Sequence, residues 1–146
     1  MKRTDLAYAA GIIDGEGWIG IGRRGGKRHD AYCRVTVGNT SEWLVKWLQF
    51  AFGGSISIYN RNPDKWKRQY FWNLNEHQTL DFLKAIYPYL RIKRPQAEIA
   101  IQFIENRFKN LNPKEQRRWS VNDKQRAVEE ATRIVMSNLN SKGNKP

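Results

Sequence analysis

The chain has 146 residues, with 26 Lys and Arg against 14 Asp and Glu and a formal net charge of +12. Because such a charge attracts polyanions, nucleic acid is the predicted partner, although an unspecialised basic surface has the same composition. One cysteine and two histidines exclude a disulfide framework and a cysteine- or histidine-rich metal site, which leaves carboxylates to bind any metal. No stretch approaches the roughly 20 apolar residues of a membrane helix, so we expect an intracellular protein without a membrane partner.

Turn residues and changes in hydrophobic period divide the chain into short helices and hairpins. They predict one domain over residues 1–139 and a disordered tail over residues 140–146. In chain order, the predicted elements are a helix over 5–14, strands over 18–24 and 31–38, a helix ending before Gly53, strands over 56–59 and 69–74, a helix after Asn75, a helix around 99–104, a polar loop over 110–119 and a helix that Ser120 opens.

Capping residues mark where three of these helices begin. The predicted N-caps are Thr4 for the first helix, Asn39 or Thr40 for the second, and Asn75 for the third. Each pair of strands is joined by a turn rather than by a crossover helix, so we expect an antiparallel sheet. The helices then cover one face of that sheet, and the predicted class is an α+β fold.

The strands alternate between apolar and polar side chains, so one face of the sheet is expected to remain open. Paired strands fit the major groove of DNA, where polar and cationic side chains contact bases and phosphates. An ordinary solvated face is the alternative, but such a face would mix carboxylates with the cations. The residues predicted to bind DNA are Arg24, Lys27, Arg28, Tyr32, Arg34, Thr36, Ser57, Tyr59, Arg61, Lys67, Gln69 and Asn73.

The end of the first predicted helix combines small residues with two acids. Ala7, Gly11 and Gly15 are four residues apart and form a small-residue stripe, which another helix or the chain's own sheet could contact closely. Asp14 and Glu16 lie where the helix ends and its partial charge is negative, which favours a compensating cation such as Mg²⁺. Two surface acids in a tight turn are the alternative.

Two segments carry a resemblance to a known family. The nonapeptide Ala9–Gly17 resembles the motif that names the LAGLIDADG homing endonucleases, and the stretch from Phe82 to Ala97 resembles a second segment typical of them. The likeness covers residues 5 to about 105. It implies the αββαββα fold of that family, in which an antiparallel sheet forms a DNA-binding saddle with helices on its other face.

The resemblance also implies roles for individual residues. Glu16 would bind a divalent cation, Mg²⁺ or another such as Mn²⁺, and Lys93 would be the active-site lysine that polarises the phosphate or steers water. Asp14 would be structural, capping or orienting the helix junction. Asn39 follows the second strand where relatives can carry Gln; it could organise water, or cap its helix, which we favour. The chain departs from the motif at Ala9, in place of Leu, and at Glu16, in place of the commoner Asp.

One motif supplies one carboxylate, whereas cutting two DNA strands requires two. The resemblance therefore implies a homodimer joined through the small-residue stripe. It further implies a site-specific homing endonuclease that makes a metal-dependent double-strand break, by phosphodiester hydrolysis, in a long pseudo-palindromic site during intron homing. The alternative is a non-catalytic protein on the same scaffold, either an RNA maturase that binds its host intron RNA or a DNA-binding regulator.

Overall fold

The computed structural model describes residues 1–23, 31–110 and 123–141. Hairpins and helices follow one another in the order αββαββα, and further helices complete the chain, so the predicted α+β class is confirmed. The elements are α1 (Arg3–Glu16), β1 (Gly17–Arg23), β2 (Ala31–Asn39), α2 (Glu42–Phe52), β3 (Ser55–Tyr59), β4 (Gln69–Asn73), α3 (Glu76–Ile86), a 3₁₀ turn (Tyr87–Tyr89), α4 (Arg94–Asn110) and α5 (Asp123–Asn140).

The four strands form one antiparallel sheet in the order β1-β2-β4-β3. Gly17 pairs with Val37, so the start of β1 lies beside the end of β2. Asn39 pairs with Tyr70, which brings the start of β4 to the same end of the sheet. The C-terminal end of α1 therefore opens directly onto one end of the sheet.

Alternation along the strands separates two faces. The face that packs against the helices is apolar and fully buried at Ile19, Val35, Val37 and Trp72. Residues of the opposite parity carry polar and aromatic side chains that are partly or fully exposed. The helices thus cover one face of the sheet and leave the other open, as the hydrophobic pattern predicts.

The helix caps differ from the prediction at two of three sites. The N-cap of α1 is Lys2, whose carbonyl accepts from Asp5 N and Leu6 N, and Thr4 lies within the helix. The N-cap of α2 is Ser41, whose Oγ accepts from Leu44 N at 3.3 Å, so the prediction of Asn39 or Thr40 is wrong. Asn39 belongs to β2, and its extended backbone places the helix start two residues later.

The other element ends agree in part with the prediction. Asn75 caps α3 in a capping box with Gln78, as predicted. Helix α5 continues to Asn140, whose Nδ2 donates to Ile19 O at 2.9 Å, so the first residue of the predicted tail is helical and packed. Residues 142–146, the predicted cap Ser120 and the loop beyond α4 lie outside the described residues. Within the described residues, no helix is long and apolar enough to cross a membrane.

Candidate functional site

The last residue of α1, Glu16, carries an exposed carboxylate at the junction with β1. Asn39, at the end of the neighbouring strand, donates from Nδ2 to Glu16 Oε2. The other atom of the same amide, Oδ1, accepts from Ser41 N at 2.7 Å. Asn39 therefore bridges the Glu16 carboxylate and the start of α2. Its side chain makes these two hydrogen bonds instead of capping α2 as predicted.

Lys93 reaches the same junction from the opposite side. Its Nζ donates to Ile13 O at 2.9 Å and to Gly17 O, two carbonyls at the end of α1. The ammonium thus lies at the negative end of the helix dipole. Burial lowers the pKa of Lys93, and the nearby Asp14 carboxylate partly offsets that effect. The close turn requires glycine at position 17, because a Cβ there would lie 2.7 Å from Ile13 Cα.

Asp14 binds backbone rather than a cation. Its carboxylate accepts from the amides of Arg91 at 2.9 Å, Ile92 at 3.1 Å and Lys93 at 2.9 Å. These three residues immediately precede α4, so the acid occupies the positive end of that helix. The contact joins α1 to the segment that carries Lys93, which is the geometry that the predicted structural role requires.

The donor groups fit a partial binding site for a hard divalent cation. Glu16 offers an exposed carboxylate, and Mg²⁺ is commonly held by one or two carboxylates together with water and phosphate oxygens. Among the described residues, no Lys or Arg forms an ion pair with Glu16, and none of their His, Cys, Asp and Glu side chains form a cluster of three that could hold a metal.

The small-residue stripe faces outward from the chain. Ala7, Gly11 and Gly15 are exposed, and a Cβ added at either glycine would meet no atom within 4 Å. The stripe therefore does not pack against the chain's own sheet, which was the alternative use of such a pattern. It leaves α1 accessible to another helix along the side next to Glu16.

Most of the residues predicted to bind DNA lie on the open face of the sheet. Cross-strand register places Thr36 opposite Asn73, and its Oγ1 donates to Asn73 Oδ1 at 2.9 Å. The Arg34 guanidinium lies 4.8 Å from the centre of the Tyr32 ring. Arg24, Lys27 and Arg28 lie outside the described residues. The remaining predicted residues are Ser57, Tyr59 and Gln69 on this face, and Arg61 and Lys67, exposed in the β3–β4 connection.

Two aromatic residues on the open face were not among the predicted DNA-binding residues. Trp18 lies on this face two residues after Glu16, and its ring covers Gly20, where a Cβ would lie 2.0 Å from a ring atom. The Phe71 ring covers Gly38 of the neighbouring strand, at 2.6 Å from such a Cβ. Alternation along the strands places both side chains on the polar face. This two-residue period was the signal by which the sequence could have assigned them to that face.

No protein-family model matches the sequence, and no curated protein matches it. Solved structures do resemble the fold. I-CvuI in complex with the I-CreI target superposes with a TM-score of 0.74 at 16% identity, over 99% of this chain and 87% of that one. The archaeal intron-encoded homing endonuclease I-Vdi141I, complexed with DNA, gives 0.75 at 10% identity, over 97% and 87%.

A third similar structure is longer. The LAGLIDADG homing endonuclease I-GzeII, in complex with its DNA target, has a TM-score of 0.68 at 14% identity, over 90% of this chain and 44% of that one. At these identities the likenesses establish the fold. The chain has the fold of the LAGLIDADG homing endonucleases, as the two sequence segments imply.

Proposed function

We propose that the chain is one subunit of a homodimeric, site-specific homing endonuclease. It makes a metal-dependent double-strand break in a long pseudo-palindromic DNA site by phosphodiester hydrolysis. The observation that carries the proposal is the exposed Glu16 carboxylate, which is hydrogen-bonded to Asn39 and lies at the end of an open, polar sheet face. The DNA-bound state of the structures with the same fold supports it.

Each residue at the end of α1 has a distinct task in this proposal. Glu16 would hold the cation, and Asn39 restrains the carboxylate through its hydrogen bond to one of the two oxygens. When bound there, a divalent cation would supply Lewis-acid chemistry, lowering the pKa of a water molecule and stabilising negative charge on phosphate oxygens. Lys93 places a positive charge beside the scissile phosphate, and its two carbonyl partners hold that charge in position. Asp14 orders the segment that carries Lys93.

A second copy is required because one chain supplies one such acid. The exposed small-residue stripe lets two α1 helices approach closely, which would bring two Glu16 carboxylates to neighbouring phosphates on opposite strands. In the dimer, each sheet lies along one half of the DNA site.

The test begins by finding the target. The Glu16→Gln variant, which keeps the shape of the side chain without its charge, is used to select bound duplexes from a randomised DNA library. The selected site, cloned in a supercoiled plasmid, is then incubated with the parent chain in Mg²⁺, in Mn²⁺ and with chelator. We expect linear product with either metal, none with chelator, and a rate at least about a hundredfold lower for Glu16→Gln.

The matched control is Asp81→Asn, which neutralises an exposed acid on α3 far along the chain from the site. It should cut at the parent rate. Affinity of both variants for the selected site should fall steeply with salt, because phosphate contacts release counterions. Binding without cleavage by the parent chain in both metals would contradict the enzyme and favour the maturase or regulator. Cleavage by Glu16→Gln at the parent rate would refute the assigned metal ligand.

A further inference from the structure

One side of the protomer exposes large aromatic side chains. Trp43 is 65% exposed and Phe50 is 93% exposed; seven residues apart, they lie on one side of α2. Trp43 stacks on Trp47 with ring centres 6.5 Å apart, and Trp47 contacts Tyr8 of α1 edge-on at 5.0 Å. Ring contacts link Tyr8, Trp47 and Trp43, and Phe50 lies about one helical turn beyond Trp47; these four residues are here called the aromatic flank. An exposed apolar patch of this kind marks an interaction site.

The aromatic flank borders the small-residue stripe on one side. On the other side, Asp14 binds the backbone before α4, and a groove of about 650 Å³ runs between the stripe and the residues Pro88–Arg91. Tyr8 and Asp14 are six positions apart and so point about 120° from each other around the helix axis. The segment 88–92, with Ile92 70% exposed, is here called the turn flank. The stripe thus has an aromatic flank on one side and a turn flank on the other.

Symmetry determines which flanks meet, and this step rests on the proposed function. Both Glu16 carboxylates must reach the same DNA, so the two α1 helices pack side by side and parallel. The two-fold axis then runs along the helices, and rotation about it brings the left side of one protomer against the right side of the other. We propose that the aromatic flank of each subunit packs on the turn flank of its partner, forming two equivalent contacts beside the stripe.

A second copy fits the aromatic flank better than DNA does. The charges on this part of α2, Glu42 and Lys46, neutralise each other in an ion pair at 2.7 Å, whereas DNA contacts need free cations. Two chains of charge +12 repel, so buried apolar area must supply the attraction between them. A stable interface buries about 800 Å² per partner, more than a row of Ala and Gly side chains can supply.

The turn flank is chemically suited to aromatic partners. It offers the rings of Pro88 and Tyr89 in the 3₁₀ turn, the exposed Ile92, and the exposed Arg91, which lines the groove. Arginine binds the face of an indole ring, and Trp, Tyr and Arg dominate the energetics of protein interfaces. Trp43 therefore has both apolar and cationic groups to contact on the partner.

The first experiment removes the aromatic flank from the full chain by the double substitution Trp43→Glu and Phe50→Glu. We expect the dimer dissociation constant, measured by sedimentation without DNA, to rise about a hundredfold, because the symmetric dimer carries the change twice. The control is Val135→Glu, which places the same charge on a half-exposed residue of α5 and should leave the constant unchanged. Circular dichroism checks that each variant is folded, which the exposure of the replaced side chains predicts.

The second experiment tests which flanks meet. A chain with the aromatic flank changed is mixed with a chain carrying Ile92→Glu in the turn flank. If opposite flanks pack together, the mixed dimer keeps one contact between two unchanged flanks, whereas each homodimer has both contacts damaged. Native mass spectrometry should then show the mixed dimer in at least about tenfold excess over either homodimer.

The outcomes separate this inference from the proposed function. A parent chain that dimerises and cuts, with variants that dimerise equally well, would overturn the interface alone. Variants that dissociate but show no preference for the mixed dimer would overturn the opposite-flank arrangement. A parent chain that binds its full site as a monomer would refute the homodimeric endonuclease itself.

Discussion

Two polar clusters in this protein bring acids and a cation together, and they do so in opposite ways. At the start of β2, Arg107 is buried and donates to the carboxylates of Glu76 and Glu129. It also donates to Ala31 O, at 2.7 Å. At the end of α1, Glu16 is exposed and hydrogen-bonded to a neutral amide, while the cation Lys93 donates to backbone carbonyls.

The two clusters differ in whether their charges have partners inside the fold. In the Arg107 cluster each charge has a partner, and Glu76 also accepts from Cys33 N at 3.2 Å, so the charges are compensated inside the fold. Burial raises the pKa of Glu129, and Arg107 opposes that shift. In the α1 cluster, by contrast, Glu16 is exposed and forms no ion pair with a Lys or Arg of the described residues. Under the proposed function, a divalent cation compensates this charge. The following predictions test this contrast.

The largest expected effect on stability is at the Arg107 cluster. Arg107→Met keeps most of the side-chain volume but leaves two acids without their cation, so we expect the free energy of unfolding to fall by about 3–5 kcal/mol. Urea unfolding at neutral pH measures it. Lys84→Met, which breaks the exposed ion pair with Glu105, is the control and should cost less than about 1 kcal/mol. Equal effects would mean that the buried cluster is not structural.

At the α1 cluster we expect the reverse, a loss of activity without a loss of stability. Asn39→Ala removes the group that restrains Glu16, and groups of this kind typically contribute 10–100-fold to metal affinity or activity, so cleavage should slow by about that factor. The concentration of Mg²⁺ that gives half the maximal rate should rise with it. Thr40→Ala, at the adjacent exposed residue, should change neither quantity. If Asn39→Ala unfolded at a much lower urea concentration than the parent chain, its role would be structural, and the contrast between the two clusters would fail.

Asp14 lies in the α1 cluster, but its expected effect is on stability, because it accepts hydrogen bonds from backbone amides as a helix cap does. Asp14→Ala leaves three amides before α4 without their acceptor, and we expect a loss of about 1–2 kcal/mol, as for other helix caps. Hydrogen exchange at residues 91–93 should accelerate, while the amides of α3 keep their protection. Asp14→Asn, which keeps one acceptor oxygen, should give an intermediate result; unchanged exchange in both variants would refute the capping role.

The smallest effect concerns a surface cluster. Hydrogen bonds from Arg133 and Arg23 lower the pKa of Glu130 from 4.5 to about 2. Because the folded pKa is lowered, its contribution to stability is present above about pH 4.5 and disappears as the pH falls towards 2. The parent and Glu130→Gln should therefore differ slightly in unfolding free energy near neutral pH, and this difference should vanish in that window and with added salt. A constant difference at all pH values would exclude the ion pairs as its cause.

Much of the candidate site follows from local patterns. Alternation along β2 and β4 places Tyr32, Arg34, Thr36 and Asn73 on one face, because strand geometry has a period of two. The helical spacing of Ala7, Gly11 and Gly15 likewise predicts that these residues share one face of α1, although only the structure shows that this face is exposed. Such features depend on neighbours only a few residues away, so the sequence alone contains them.

The error at Asn39 has a physical cause of a different kind. As an isolated residue before a helix, Asn39 is a good N-cap. In the folded protein β2 extends through this residue, and Glu16, 23 positions earlier in the chain, accepts its amide. Ser41 then caps α2. The local preference of Asn39 for the N-cap position was therefore overridden by a tertiary hydrogen bond, which no short-range pattern encodes.

The sequence by itself determined the order of elements, the two faces of the sheet and the position of the acids at the end of α1, because these follow from periodicity and from glycine. Only the tertiary structure decided the partners of those acids. Asp14 binds amides 77 to 79 residues away, Lys93 binds the carbonyls of Ile13 and Gly17, and Arg107 joins three helices to β2. These contacts depend on how the elements pack, so no local pattern in the sequence predicts them.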